Sequence, residues 1–234
     1  MNPTPEICYL CGGELVGELS ADHVPMKQLF GKSVRKAHNP NLDTVLVHAQ
    51  CNAMYQHDED YFVNSLLPLA SDSYAGKSVL RDVSNRREMG NSLGLINKVL
   101  GEIDRRPSGI VLPHGKLAKR LERERIGRIA WKIVRGLYFL NTYQFLAEST
   151  PHYLELVAPG ERPPDYFFAL GNQTDLGRYP GVFDYRKVEV PELNRFNLWA
   201  FLLWDRIIFI IGFHHPECPC YDCTVHREGL ENSE

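Results

Sequence analysis

The spacing of hydrophobic and polar positions changes along the chain, and each change predicts a different element. Residues 6–17 are predicted to form a short hairpin with its tight turn at Gly12-Gly13, and the next strands are predicted over 19–24 and 45–47. Pro25 ends the first of these strands, and a loop is predicted over residues 26–42. Residues 52–67 change to a helical spacing. The N-terminal part therefore follows the order strand, strand, helix.

The remaining chain predicts a second region that mixes helices and strands. The small polar residues at 70–76 indicate a boundary, which divides the chain into a domain at 1–70 and another at 77–234. Helix is predicted over 77–106, with interruptions at Gly90 and Gly94, and a long helix over 116–146. Strands are predicted over 166–170, 182–190, 197–203 and 206–213. The predicted fold class is α+β. One apolar stripe follows the long helix: Ile126, Ile129, Ile133, Leu137 and Leu140.

Composition narrows the class of protein. The 234 residues are 44% hydrophobic and 24% charged, which is typical of one or two compact domains. The net charge is −3, so any surface that binds nucleic acid must be local. No apolar run reaches the roughly 18 residues of a membrane span, and the N-terminus lacks the pattern of a secretory leader. We expect a cytoplasmic protein without a membrane partner, in which six cysteines serve metal sites or remain thiols.

Two short motifs predict a structural zinc site. Cys8 and Cys11 form a C-x2-C pair, and His48 and Cys51 form an H-x2-C pair. Zn2+ prefers four thiolate or imidazole ligands in a tetrahedron, and these motifs together supply three sulfurs and one nitrogen. Such an ion can hold together a small fold that buries little apolar surface. The alternative interpretation is that the two cysteine-containing pairs are unrelated and do not share an ion.

An acid, an imidazole and an amide accompany the two motifs. Asp22 and His23 lie between the motifs, and Asn52 directly follows the last cysteine. With these residues, the N-terminal part of the chain resembles the HNH (ββα-metal, His-Me finger) endonucleases, and it is most similar to the zinc-stapled, phage endonuclease VII-like kind. The matching stretches are ICYLCGGEL…SADHVPMKQLFG…NLDTVLVHAQCNAMYQHDEDYF. The resemblance covers residues 6–62, roughly a quarter of the chain. His48 departs from it, because the family more often has a cysteine there.

The resemblance implies the chemistry of the site. Asp22 and Asn52 would hold a catalytic Mg2+ or Mn2+, and His23 would be the general base that activates water. A neutral imidazole suits that role near pH 7, and oxygen ligands suit these hard cations. Asn41, with Asn39 as second choice, would brace the loop through backbone hydrogen bonds, although either could be a plain turn residue.

Two details of this assignment are less direct. Asp22 and His23 are sequence neighbours, so on a strand they point to opposite faces. Either a bulge or twist would bring both to a phosphate, or one of them would act without touching it. His57 would also fit the motif's final histidine. It lies five residues after Asn52, however, about 140° around a helix, so we interpret it as solvated helix surface.

Basic residues predict contacts with nucleic acid at two places. Lys27 and Lys32 follow the Asp-His pair in the predicted loop. Arg128, Lys132 and Arg135 share one side of the long helix, away from its apolar stripe, and could follow a phosphate backbone. A solvated amphipathic helix is the alternative.

The C-terminal segment is rich in metal-binding residue types, which could bind a second zinc or form a thiol-rich tail. A redox role for Cys220 and Cys223 would need a helix N-terminus beside them, and the sequence predicts none there. The residues concerned are His214, His215, Cys218, Cys220, Cys223 and His226.

The sequence thus predicts a metal-dependent HNH endonuclease that hydrolyses phosphodiester bonds, with DNA as the expected substrate. By family analogy, its context would be restriction, phage or defence biology. A regulatory protein partner or a homo-oligomer would keep such an activity in check. The alternative is a catalytically silent, zinc-stapled module that binds nucleic acid or protein, and the presence of Asp22, His23 and Asn52 argues against it.

Overall fold

The computed structural model describes residues 6–38, 42–88, 93–104, 106–113, 118–171, 177, 179–193 and 195–220. The described chain mixes helices and antiparallel sheet, which confirms the α+β class. Its helices are α1 (Lys32–His38), α2 (Ala49–Ala53), α3 (Gln56–Leu66), α4 (Tyr74–Glu88), α5 (Leu93–Gly101) and α6 (Arg123–Thr142). Its strands are β1 (Leu19–His23), β2 (Thr44–His48), β3 (Ile103–Asp104), β4 (Ala118–Lys119), β5 (His152–Val157), β6 (Phe183–Val190), β7 (Phe196–Leu203) and β8 (Ile207–His214).

The N-terminal region is a small hairpin followed by helices. A bridge between Ile7 and Glu14 closes the first turn, which confirms the hairpin predicted there. Strands β1 and β2 pair antiparallel, and β2 alternates exposed residues with the buried Val45 and Val47. This alternation places one face of the hairpin on the core. Helices α2 and α3 follow β2 directly, as predicted, but a 3-10 turn and helix α1 lie between the two strands.

The C-terminal region is a four-stranded antiparallel sheet in the order β5-β8-β7-β6. The central strands β7 and β8 are buried along most of their length, because both faces of the sheet are covered. The main core covers one face, and a smaller cluster that includes Leu170 and Ile210 covers the other. This explains why β7 and β8 are nearly continuous apolar runs rather than alternating ones.

Helix α6 joins the two regions. It packs on α3 on one side and on β8 on another, and twelve of its residues are buried, including Trp131. Gly136 lies where α6 passes β1, since an added Cβ would meet the Val24 side chain at 2.8 Å. One continuous hydrophobic cluster runs from Cys8 through α6 to Phe213. The two regions therefore share a single core.

The segment at 70–76 is not the linker that its composition predicted. Ala70 ends a 3-10 helix, α4 begins at Tyr74, and Ser73 and Ala75 are buried. The small residues are there for close packing: a Cβ on Gly76 would lie 1.9 Å from the carbonyl oxygen of Ala70. The Ser73 hydroxyl accepts a hydrogen bond from the amide of Gly76 at 3.0 Å, which helps to start the helix.

Other predictions of elements were wrong, including the helix interruption at Gly94, which lies inside α5, and the continuation of helix to residue 106, since β3 occupies Ile103–Asp104. Residues 165–170 form a 3-10 helix instead of a strand, and the strand β5 was missed. The expected loop at 26–42 contains a 3-10 turn, Lys27–Leu29, and helix α1. The long helix begins at Arg123, because the residues just before it include the short strand β4, which pairs with β3. Among the described residues, no helix combines the length and apolar character needed to cross a lipid bilayer.

Candidate functional site

The structure brings the four predicted zinc ligands together. Cys8 and Cys11 lie in the first turn, His48 ends β2 and Cys51 lies in α2. Their ligand atoms all lie within 4.8 Å of one another. The Nδ1 atom of His48 is 3.4 Å from the sulfur of Cys11 and 3.8 Å from that of Cys51. Zinc bond lengths in a tetrahedron separate nitrogen from sulfur by about 3.6 Å. These residues could therefore hold a zinc ion.

The backbone shapes this cluster before any metal is considered. The carbonyl of Cys8 accepts hydrogen bonds from the amides of Cys11 at 3.3 Å and Gly12 at 2.7 Å. Gly12 has φ of +79°, a left-handed conformation that suits glycine. A side chain there would also meet the ring of Phe145 at 2.9 Å. The tight turn is thus fixed by its own hydrogen bonds and by the packing of a residue far along the chain.

His48 is oriented for metal binding by its second nitrogen. Its Nε2 lies 2.8 Å from the carbonyl oxygen of Glu14, so this nitrogen donates a hydrogen bond. The neutral ring then presents an unprotonated Nδ1 to the sulfurs. Metal-binding histidines commonly have such a carbonyl partner, which sets both tautomer and ring orientation. The donor set and this arrangement fit a structural zinc.

A cleft of about 600 Å³ lies beside the cluster, and it collects the predicted catalytic residues. Asp22, His23 and Asn52 all line it. Three cationic side chains border the same cleft, from the 3-10 turn and from α1: Lys27, Lys32 and Arg35. Glu59 and Asp82 add negative charge to its walls. The cleft thus combines hard oxygen ligands, one imidazole and a positively charged side.

The imidazole of His23 is adapted to accept a proton. The residue ends β1 and is partly exposed to the cleft. Burial lowers the pKa of His23 below its ordinary value, and the positive charges of Lys27 and Arg35 lower it further, while Asp22 opposes them. The ring is therefore neutral at pH 7, which is the state that a general base requires.

Asp22 occupies a more restricted place than the sequence indicated. It is 4% exposed, and its carboxylate accepts hydrogen bonds from the Tyr9 hydroxyl and from the Lys132 ammonium, whose Nζ lies 2.9 and 3.0 Å from the two oxygens. Burial, followed by the charge of Asp22, raises the pKa of Tyr9 well above 10, so the phenol remains a donor. Lys132 also pairs with Glu59 at 2.5 Å.

The structure has no bulge between Asp22 and His23, which was one of the alternatives considered. Residues of β1 pair with β2 in unbroken register, with Asp22 opposite Val45 and His23 opposite Thr44. Both residues nevertheless border the cleft. A carboxylate has about four lone-pair sites, and the bonds to Tyr9 and Lys132 take three of them. At most one of these sites on Asp22 remains for a further ligand.

Asn52 belongs to the wall of the cleft that the helical segment after Cys51 contributes. Its amide nitrogen donates a hydrogen bond to the hydroxyl of Ser20 at 3.2 Å. The amide oxygen is therefore the atom that could bind a hard cation. Gln56 and Glu59 follow Asn52 at helical spacing and line the same cleft. The oxygen ligands of this wall come from consecutive turns of the helical segment after Cys51.

The predicted basic face of α6 is not a surface for nucleic acid. Lys132 and Arg135 are 3% and 1% exposed, because α6 lies in the core and its polar side faces the N-terminal region. Arg135 donates hydrogen bonds to the carbonyls of Tyr9 and Leu10 at 3.1 and 2.7 Å, and so braces the loop between Cys8 and Cys11. These two residues stabilise the fold, and their assignment to phosphate contacts was wrong.

Arg128 also has protein partners. Its guanidinium pairs with Asp58 at 2.9 Å and with Glu148 at 3.0 Å. It stacks over the Tyr55 ring at 4.3 Å. The residue is partly exposed, but these contacts engage the charge that was expected to meet phosphate.

Lys132 offers a test of the buried ion pairs. Replacing it with methionine, which keeps the length of the side chain, leaves Asp22 and Glu59 buried without their counter-ion. We expect the free energy of unfolding to fall by about 3 kcal/mol. Urea denaturation at pH 7 measures the change, and Lys27→Met, at the rim of the cleft, serves as the control with an effect within about 0.5 kcal/mol. Equal stability of the two variants would show that the pairs contribute little.

The other predicted residues divide between the described and undescribed parts of the chain. His57 is exposed on α3, as expected for solvated helix surface. Asn41 and Asn39 lie outside the described residues, as do Cys223 and His226. Among the C-terminal residues that are described, His214, Cys218 and Cys220 form a second group of potential metal ligands.

Sequence reasoning missed Tyr9, whose hydroxyl donates to Asp22, and several residues that line the cleft. Tyr9 and Arg35 gave no local signal, because the first lies between two cysteines and the second in a predicted loop. Gln56 and Glu59 could have been found, since they follow Asn52 by four and seven residues and so share its side of a helix. Comparisons of the chain with known proteins add nothing to this assignment: no family model, no curated protein and no solved structure matches it.

Proposed function

We propose that this protein is a metal-dependent nuclease of the HNH kind, which hydrolyses phosphodiester bonds in DNA. The observation that carries the proposal is the cleft of about 600 Å³ that holds His23, Asn52 and Asp22 next to the cysteine and histidine cluster. The resemblance to the HNH endonucleases implies the same three residues as the catalytic ones. A lone Asp-His pair would be weak support, but a cleft that also gathers an amide oxygen and three cations is a more specific arrangement.

Each residue has a role that its surroundings favour. His23 is neutral at pH 7 and accepts the proton of the attacking water. The oxygens of Asp22 and Asn52 would hold Mg2+ or Mn2+, which stabilises negative charge on the phosphate and on the leaving oxygen. The cluster of Cys8, Cys11, His48 and Cys51 would hold Zn2+, which fixes β2 and the start of α2 relative to the first turn. His48 and Asn52 are thereby positioned by one structural ion.

The cations along the cleft would bind the nucleic-acid backbone. Lys27 and Lys32 are exposed, and Arg35 is partly buried beside them. Lysine and arginine side chains attract phosphates without reading sequence, and this attraction weakens as salt rises. This arrangement suits a substrate whose strand lies along the 3-10 turn and α1 and crosses His23.

A cleavage assay tests the proposed function. The purified protein is incubated with supercoiled plasmid, single-stranded DNA and RNA, each with Mg2+, with Mn2+ and with a chelator. We expect DNA to be cut in the presence of the cation and to remain intact with the chelator. Intact substrates under every condition, from protein that is folded and contains zinc, would reject the nuclease.

The lysines at the cleft allow a separate test of substrate binding. Lys27→Gln and Lys32→Gln should each weaken DNA binding and reduce the slope of log K against log salt by about 0.9, because each removes one phosphate contact. Fluorescence anisotropy over a series of KCl concentrations, without divalent cation, gives the slope. Lys36→Gln is the matched control, since this exposed lysine on α1 does not line the cleft. Equal slopes in all variants would place the DNA elsewhere.

One observation favours the second candidate function, a zinc-stapled binding module without turnover. Lys132 already neutralises Asp22, so the site carries less negative charge than a cation site built on a free carboxylate. Salt-dependent binding to nucleic acid without any cleavage would identify this alternative. The main proposal has two further parts, which follow from the family resemblance. The first is a role in restriction, phage or defence biology, and the second is control of the activity by a protein partner or by a homo-oligomer.

A further inference from the structure

The end of the C-terminal sheet carries a second cluster of metal-ligand side chains, separate in sequence from the first. His214 is the last residue of β8, and the chain turns immediately after it, with the amide of Cys218 donating to the carbonyl of His215 at 2.8 Å. The turn brings the sulfurs of Cys218 and Cys220 to 3.3 and 3.2 Å from the Nδ1 of His214. All three ligand atoms lie within 4.8 Å of one another.

We propose that His214, Cys218 and Cys220 bind a zinc ion that fastens the turn after β8 to the sheet. The spacing carries the inference. One imidazole nitrogen faces two sulfurs at once, at distances close to the roughly 3.6 Å that separates nitrogen from sulfur around tetrahedral zinc. Two sulfurs that both approach one ring nitrogen this closely are the arrangement expected of three ligands around one ion.

The surroundings hold these ligands in place. The ring of His214 packs edge-on against Phe196, its partner in the β7–β8 register, with the ring centres 5.4 Å apart. Cys218 is buried, and its sulfur accepts a hydrogen bond from the amide of Cys220 at 3.4 Å. This hydrogen bond helps to hold the sulfur of Cys218 in position beside His214. Pro216 and Pro219 restrict the backbone of the turn.

The donor set identifies the class of metal. Two thiolates and one imidazole favour zinc over Mg2+ or Ca2+, which prefer oxygen. Three protein ligands leave one position of the tetrahedron for water or for another donor. Because the cluster joins the last strand to the turn after it, the ion would have a structural role that does not depend on the cleft or on nuclease activity.

Metal analysis of the full chain tests this inference. Protein expressed with added zinc and desalted should contain about two zinc ions per chain, one for each cluster. Cys220→Ser should reduce this to about one, because its partly exposed side chain is a ligand that can be removed without opening the core. The zinc retained in the first cluster then reports that the variant is folded. His57→Ala, which changes an exposed histidine outside both clusters, should leave the zinc content unchanged.

Substitution of Co2+ for zinc provides a second measurement, because the near-ultraviolet absorption of bound Co2+ grows with the number of its sulfur ligands. In the wild-type chain reconstituted with Co2+, the near-ultraviolet charge-transfer absorption should exceed that of Cys220→Ser by the contribution of the second site. The same zinc content in Cys220→Ser as in the wild type, or a disulfide between Cys218 and Cys220 found by mass spectrometry after purification, would overturn the proposal.

Discussion

Replacing His23 with alanine is expected to lower the rate of DNA cleavage by a factor of about 10² to 10⁴, the usual contribution of a general base. His23 borders the cleft with a pKa lowered by burial and by Lys27, so its neutral ring is available at pH 7. Alanine removes this proton acceptor while leaving the cation ligands of the cleft in place. The measurement is the initial rate of plasmid nicking at saturating Mg2+ or Mn2+.

The matched control for this experiment is His57→Ala, which removes an exposed imidazole from α3 that does not line the cleft. Its rate should lie within about twofold of the wild-type rate, since surface substitutions away from the reacting groups have small effects. Zinc content and thermal unfolding of both variants show that the fold persists. Full activity in His23→Ala would remove this histidine from the chemistry, even if the protein still cuts DNA.

Loss of the first metal cluster is expected to have the largest effect on stability. Cys11→Ser removes an exposed ligand of the group formed with Cys8, His48 and Cys51. In zinc-finger peptides, structural zinc contributes about 10–16 kcal/mol at pH 7. We therefore expect Cys11→Ser to lose its zinc from this cluster and to unfold at a clearly lower urea concentration, with a cost of several kcal/mol to the N-terminal region.

Cys11→His is the matched control, because it exchanges one zinc ligand for another at the same position. It should recover part of both the zinc content and the stability that serine removes. Zinc content and urea midpoint are measured on the same samples. If Cys11→Ser keeps the wild-type midpoint, the cluster does not hold the fold, and the positions of His48 and Asn52 do not depend on a metal.

Where local spacing decides an element, the sequence was sufficient. The strands β1, β2, β6, β7 and β8 were predicted from alternating or continuous apolar runs between turn residues. The strand β5 was missed because it lies at the edge of the sheet and only its last residue, Val157, is fully buried. The aromatic run at 166–170 was mistaken for a strand, although Pro163 and Pro164 precede a 3-10 helix there.

Composition gave the wrong prediction where small residues serve packing. At 70–76, small and polar residues suggested a flexible boundary, whereas Gly76 is small because a neighbouring carbonyl lies where a side chain would be. Size permits both a loop and a close approach, and a single sequence does not separate the two.

In the candidate site, too, residues in local motifs could be predicted and contacts between distant residues could not. The four potential metal ligands and Asn52 were found from short motifs, because each of them lies next to a turn or a strand end that the motifs define. The ion pair between Asp22 and Lys132 was not found from the sequence, because the two residues are 110 positions apart in the chain. A helical-wheel argument placed Lys132 and Arg135 away from the apolar stripe and so on a solvated face. It does not apply to a helix such as α6, whose polar side is also covered by protein.

The tip of the last hairpin has a consequence for how this fold can be divided. Trp204 sits in the turn between β7 and β8 with a left-handed φ of 52°, is 0% exposed, and donates from its indole nitrogen to the carbonyl of Leu29 at 2.9 Å. Leu29 ends the same 3-10 turn that carries Lys27 to the cleft. Residues 1–70 are therefore not expected to keep the cleft intact as an isolated fragment, because the fragment would lack Trp204 and its hydrogen bond to Leu29 at the wall of the cleft.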